Sequence, residues 1–212
     1  MDLKAQMGQL LAPEFTLAQL AEKLFQSEPD PDRVVMRQWI YGEEETCREL
    51  TRAQVNKRIK VVAGRLQQVA EPGTRVAILA GNSPEYVFGF LGALYAGMVP
   101  IPLYDPNEPG HADHLKAVFG DCEPSIVVTN RVSAAAVRKY FSGQRERPRV
   151  ISLDALPDSL ASSWTPVEGG AGDTAFLQYT SGSTRTPAGV ELTNRAIITN
   201  VAQIFQALQL QM

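Results

Sequence analysis

Hydroxyl groups, glycines and one arginine are concentrated in the run Gln178-Tyr179-Thr180-Ser181-Gly182-Ser183-Thr184-Arg185-Thr186-Pro187-Ala188-Gly189-Val190. Small residues let backbone N–H groups crowd around an anion, and hydroxyls add further donors. Such a loop could hold the phosphates of ATP. By composition alone, an ordinary Ser/Thr/Gly surface loop explains the run equally well. Context separates the two readings. Ala175, Phe176 and Leu177 form an apolar strand before the run, Val190-Glu191-Leu192 follows it, and a helical pattern begins near Thr193. Ligands on open α/β sheets bind at the carboxyl ends of strands, where this loop would sit. Neither Gly-x-x-x-x-Gly-Lys-Ser/Thr nor Gly-x-Gly-x-x-Gly occurs, which excludes the ordinary P-loop and dinucleotide fingerprints as written.

Other chemistry-bearing residues have simpler explanations. His111 and His114 could hold a metal, but their place beside Pro109-Gly110 fits a helix start better. Asp105 and Glu108 could pair as acids, yet a Pro-rich turn accounts for both. Glu191 could reach magnesium, although an exposed strand-end acid is the default. Trp39 and Trp164 are expected to be packing residues. No catalytic residue and no metal ligand is assigned within the chain.

The elements that must position the loop follow from periodicity. Residues 16–25 carry apolar side chains at helical spacing behind the N-cap candidate Thr16. Val34-Val35-Met36 and residues 46–50 read as a hairpin, and Thr51 opens a helix reaching about Ala70. Val76-Ala77-Ile78-Leu79-Ala80 is a continuous apolar strand of the type buried on both faces. Asn82-Ser83-Pro84-Glu85 is a helix start, with a capping residue, an early proline and an acid in the first turn. That helix runs to about Gly97. Strands at 99–103, 125–129 and 150–153 alternate with helices around 114–119 and 132–141, and residues 157–172 read as a long polar connection. This alternation predicts right-handed crossovers and a largely parallel sheet. Residues 1–70 are expected to form a helical and hairpin segment. Residues 71–212 are expected to form a parallel α/β subdomain that ends in the loop and its following helix.

Bulk properties narrow the function classes. A chain of 212 residues with 44% hydrophobic content can bury a sizeable core. A net charge of −3 with scattered basic residues argues against nucleic acid as a partner. Cys47 and Cys122 stand far apart, which fits a reducing compartment rather than a disulfide framework. Residues 1–13 lack the pattern of a secretory signal, so a cytoplasmic location is expected. Residues 86–104 carry no charge, but Gly89, Gly92, Gly97, Pro100 and Pro102 divide them. A buried helix and a buried strand explain that stretch better than a membrane span.

The string Tyr-Thr-Ser-Gly-Ser-Thr-x-x-Pro-x-Gly-Val, from Tyr179 to Val190, resembles the phosphate-binding signature of adenylate-forming enzymes. These include acyl-CoA synthetases, luciferases and peptide-synthetase adenylation domains. Within them the chain is similar to the fatty acid–AMP ligase branch, and most to the long-chain ligases of mycolic acid synthesis. Further residues that carry this likeness are Ala93-Leu94-Tyr95-Ala96-Gly97, the run from Pro102 to His111, and Arg147-Pro148-Arg149-Val150-Ile151.

The resemblance implies an α/β fold with a mainly parallel sheet flanked by helices, the N-terminal portion of such an enzyme. It implies that a long-chain fatty acid and ATP form an acyl-adenylate, which passes to an acyl carrier protein or polyketide synthase. Carried over by position, Thr180, Ser181, Gly182, Ser183 and Thr184 would hold the β- and γ-phosphates, and Gly189 would let the loop close. The broader superfamily has Gly where this chain has Arg185 and Lys where it has Ala188; both differences favour the AMP-ligase branch over a long-chain acyl-CoA synthetase. Arg185 could contact phosphate or form a structural ion pair. Magnesium is implied too, with its ligands expected beyond residue 212, as are the remaining catalytic motifs. The chain alone is therefore expected to be inactive, and a non-catalytic truncated module is the rival from another class.

Overall fold

The computed structural model describes residues 15–27, 29–106, 112–180 and 187–208. The first helix, α1 (Leu17–Ser27), is capped as its sequence requires. The Thr16 hydroxyl accepts from the Gln19 N–H at 3.1 Å, and the Gln19 side chain accepts from the Thr16 N–H at 2.8 Å. Strands β1 (Val34–Ile40) and β2 (Thr46–Thr51) form the expected antiparallel hairpin. β1 runs past Met36, where the apolar pattern stops, because Arg37 pairs with Glu49 through a 2.7 Å ion pair. Trp39 departs from expectation: it lies opposite Cys47 on the hairpin and is 53% exposed, so it packs little.

Thr51 then caps α2 (Arg52–Gln67) in a reciprocal box. Its hydroxyl accepts from the Gln54 N–H at 3.3 Å while Gln54 accepts from the Thr51 N–H at 2.9 Å. Thr51→Ala should therefore lower stability by about 1 kcal/mol. The check is a lower urea midpoint with an unchanged denaturant slope.

The centre of the fold is a four-stranded parallel sheet in the order β4-β3-β5-β6. Its elements are β3 (Arg75–Leu79), α3 (Pro84–Tyr95), β4 (Val99–Pro102), α4 (Ala112–Cys122), β5 (Ile126–Thr129), α5 (Ala134–Phe141) and β6 (Arg149–Ser152). The chain is thus α/β, with a parallel sheet flanked by helices. Side chains alternate across each strand, so each face collects its own core. Val76, Ile78, Ile126, Val128 and Ile151 pack with Val55, Ile59 and Val62 of α2 and Phe88 of α3. Ala77, Leu79, Ile101 and Val127 pack with Leu115 and Val118 of α4 and Val137 and Phe141 of α5. Burial on both faces explains the uninterrupted apolar runs. It also leaves the sheet's polar outlets at its ends.

The uncharged stretch 86–104 divides into α3 and β4 at Gly97, whose φ is +71°. Among the described residues, no helix is long and apolar enough to cross a membrane.

The segment after β6 is more ordered than a polar connection. Of two 3-10 turns, Leu153–Ala155 packs against α3 and Asp158–Ser163 against α2. The Arg58 guanidinium donates to the Leu153 carbonyl at 2.6 Å, the Leu156 carbonyl at 3.0 Å and Asp158 at 2.9 Å. Bonds from Lys57 and Arg58 hold the Asp158 carboxyl below the usual carboxylate range. Trp164 is the packing residue expected: its indole N–H donates to the Tyr95 carbonyl at 2.9 Å, and the two rings lie 5.3 Å apart.

β7 (Thr174–Tyr179) and β8 (Gly189–Thr193) form an antiparallel pair, followed by α6 (Asn194–Ala207) capped by Thr193. β7 lies against β4, but its ladder partner among the described residues is β8. Asn194 ties this unit to the rest, accepting from the Leu17 N–H at 2.8 Å and donating to the Gly170 and Asp173 carbonyls at 3.1 Å.

Candidate functional site

Connections leave the sheet in opposite directions on either side of the β3/β5 pair, which makes it the topological switch point. Ligands of open α/β sheets usually enter there. In this chain, side chains close that crevice. The Thr129 hydroxyl donates to the Leu79 carbonyl at 2.7 Å, and the Asn130 amide donates to the Ala80 carbonyl at 2.7 Å and the Ser83 hydroxyl at 3.1 Å. The Asn130 carbonyl oxygen accepts from the Ser133 N–H at 2.9 Å, and the Ser133 hydroxyl donates to the buried Asp105 carboxylate.

The open space lies one strand over. A cavity of about 330 Å³ is lined by Gly81 after β3, Tyr104 after β4, His114 of α4, and Gln178 and Tyr179 at the end of β7. Gly81 has φ +56°, and a Cβ there would meet the Asp105 carboxylate at 3.3 Å, so the turn that shapes this wall favours glycine. The Tyr104 and His114 rings meet edge to face with centroids 6.1 Å apart. A larger cavity of about 540 Å³ lies at the amino ends of β3 and β4, beside Arg75, Val99 and Val167. It reaches Leu177 and Glu191, two pairs back from the Tyr179–Gly189 end of the hairpin, whereas the smaller cavity takes in Tyr179 itself.

Of the residues expected to hold phosphate, Ser181, Gly182, Ser183, Thr184 and Arg185 lie outside the described residues. Thr180 and Gly189 are described, and they form the two sides of a neck. The Thr180 N–H donates to the Ala188 carbonyl at 3.4 Å, and Tyr179 faces Gly189 across the hairpin. A Cβ on Gly189 would sit 2.8 Å from the Tyr179 ring and hydroxyl. That glycine is therefore required by close approach, while its φ lies outside the left-handed region. The run thus joins the two strands of a β-hairpin, whose Gln178 and Tyr179 line the cavity, and does not lead from a strand of the parallel sheet straight into a helix.

Tyr179 is buried, and its hydroxyl donates to the Asp121 carboxylate. Burial, reinforced by Asp121, pushes the phenol pKa upward. Burial likewise pushes the neighbouring Cys122 thiol up to about 11, so it stays neutral and unreactive at physiological pH. The sequence gives no sign of this cluster, since Asp121 is 58 residues away from Tyr179.

Glu191 is not aimed at the connection; it accepts from the Thr174 hydroxyl at 2.6 Å. Among the described residues, no group of three His, Cys, Asp or Glu side chains could hold a metal ion. His111 and Glu108 lie outside the described residues.

Residues 25–211 match the family model described as AMP-binding enzyme. The long-chain-fatty-acid–AMP ligase FadD32 of Mycolicibacterium smegmatis is 50% identical over 165 residues, covering 76% of this chain and 26% of that protein. FadD26 of Mycobacterium marinum, also a long-chain-fatty-acid–AMP ligase, is 42% identical over 156 residues, covering 73% of this chain and 27% of the relative. Among solved structures, the fatty acyl-adenylate ligase from L. pneumophila, in complex with acyl adenylate and pyrophosphate, superposes with a TM-score of 0.77 at 27% identity, covering 92% of this chain and 33% of the other. The chain therefore spans about a quarter of the length of the curated relatives it matches.

Proposed function

Because the chain belongs to the AMP-binding enzyme family, we propose that it supplies the phosphate-gripping part of a fatty acid–AMP ligase. In that enzyme the carboxylate oxygen of a long-chain fatty acid attacks the α-phosphorus of ATP. The new bond joins acyl oxygen to phosphorus, the bond from the α-phosphorus to the bridging oxygen breaks, and pyrophosphate leaves with that electron pair. The acyl group of the adenylate then passes to the pantetheine thiol of an acyl carrier protein or polyketide synthase, releasing AMP. Residues 71–212 form the nucleotide-facing subdomain in this reading, and residues 1–70 its helical and hairpin lead-in.

The observation that carries the reading is that Gln178 and Tyr179, which lead into the 180–189 run, line the cavity in a chain of that family. Thr180, Ser181, Gly182, Ser183 and Thr184 would donate to β- and γ-phosphate oxygens through hydroxyls and backbone N–H groups, with Gly189 allowing closure and Arg185 adding charge. Positioning and charge stabilisation are what such phosphate chemistry needs from a protein. Magnesium would neutralise phosphate charge. Ala188 in place of the lysine of coenzyme A ligases favours transfer to a carrier protein.

Titration with ATP tests this reading. The purified chain should bind ATP saturably yet release no pyrophosphate when a long-chain fatty acid is added. Pyrophosphate release would overturn the division of labour, and absence of ATP binding would leave a non-catalytic module.

A further inference from the structure

We infer that Tyr179, held by Asp121, is a positioning residue that fixes the spacing of the two ends of the nucleotide-binding connection. This inference rests on the proposed function. Its basis is four contacts on described residues. The Tyr179 ring is buried in the cluster formed with Ala77, Leu79, Leu115 and Val118. Its hydroxyl donates to Asp121, in the last turn of α4, and touches the Cys122 thiol. Its ring covers Gly189, the residue opposite it across the hairpin. Next to it, the Thr180 N–H closes the neck on the Ala188 carbonyl.

Aromatic cover of a cross-strand glycine pins register, and a charge-assisted bond at the far end of the ring stops it swinging out. α4 is itself anchored, because the Arg75 guanidinium donates to the Cys122 carbonyl at 3.0 Å. A rigid helix thereby sets where β7 ends and β8 begins. Anion cradles depend on such preorganisation, since donors misplaced by about 1 Å lose much of their effect. The raised phenol pKa keeps the hydroxyl protonated, and so a donor, at any working pH.

Tyr179→Phe removes the hydroxyl and keeps the ring; Asp121→Ala removes the acceptor, whereas Asp121→Asn retains a carbonyl that can accept. ATP binding by the 212-residue chain should weaken about tenfold in Tyr179→Phe and in Asp121→Ala. The double variant should be no worse than either single one, and Asp121→Asn should keep most of the affinity. Amide exchange at Thr180 should accelerate in the two damaging variants, while exchange in β3 and β5 stays as in wild type. A merely structural role would move all of these amides together. Wild-type binding of ATP with equal binding by Tyr179→Phe would overturn the inference alone. Parallel acceleration across the sheet, or additive losses in the double variant, would also overturn it. Failure of the wild-type chain to bind ATP would overturn the proposed function and this inference with it.

Discussion

Replacing Gly64 by alanine should destabilise the protein by about 2 kcal/mol, against the usual preference of helices for alanine. Gly64 lies inside α2, where propensity alone favours alanine by about 1 kcal/mol. Sterics point the other way. A Cβ there would sit 2.4 Å from the Leu160 carbonyl oxygen, 2.7 Å from the Ser163 hydroxyl and 3.2 Å from the Trp164 nitrogen. Two of these atoms belong to backbone and cannot rotate aside, so the Asp158–Ser163 turn must lift from the helix. Lifting it strains the Arg58 bonds to Leu156 and Asp158 and draws Trp164 away from Tyr95. With a backbone oxygen that close, overpacking falls at the upper end of its usual range, about 3 kcal/mol, which outweighs the propensity gain. The expected signs are a lower urea midpoint and a melting temperature reduced by roughly 4–8 °C. Stability equal to wild type, or better, would show that the turn is not seated on α2 as described.

Gly64 illustrates which parts of the fold the sequence reveals and which it conceals. The parallel sheet was legible because strands buried on both faces are forced to be apolar throughout, as in Val76-Ala77-Ile78-Leu79 and Ile126-Val127-Val128. Helix starts were legible too, since Thr16, Thr51, Ser83 and Thr193 cap through their own side chains, a local rule. The packing of residues 153–164 on α2 was not, because it depends on Arg58 and Gly64, about a hundred residues earlier, and neither has a local signature there. For the same reason periodicity could mark β7 as a strand but could not name β8 as its partner.

The candidate site divides along the same line. Its hydroxyls and glycines declare themselves by crowding into one run, since only such residues let backbone donors converge. The parts that place the run are dispersed: Asp121 on α4, and Tyr104 and His114 on the cavity wall. Even the switch-point rule is informative in failing. Thr129 and Asn130 spend their hydrogen bonds sealing the crevice, and the opening moves to the β4 side, where β7 arrives.

The largest functional loss is expected from replacing Ser181 and Thr184 together by alanine. Under the proposed function, each hydroxyl donates to a charged phosphate oxygen. Bonds to charged groups contribute about 1.5–3 kcal/mol each. Two independent bonds would sum to about 3–6 kcal/mol, or roughly a hundredfold to ten-thousandfold in affinity. The sites are close in sequence and serve one ligand, so coupling should bring the pair below the sum. Backbone N–H groups of the run survive both substitutions and keep a floor under binding. A loss near a hundredfold in ATP affinity is therefore expected, about ten times that of Tyr179→Phe, because these groups touch the ligand and Tyr179 acts only through the neck. Calorimetric titration with ATP reads the loss, and titration with pyrophosphate should show a similar one, since the contacts are to the β- and γ-phosphates. An effect under about threefold on both ligands, smaller than one ordinary hydrogen bond, would return the run to the surface loop that its composition allows equally well.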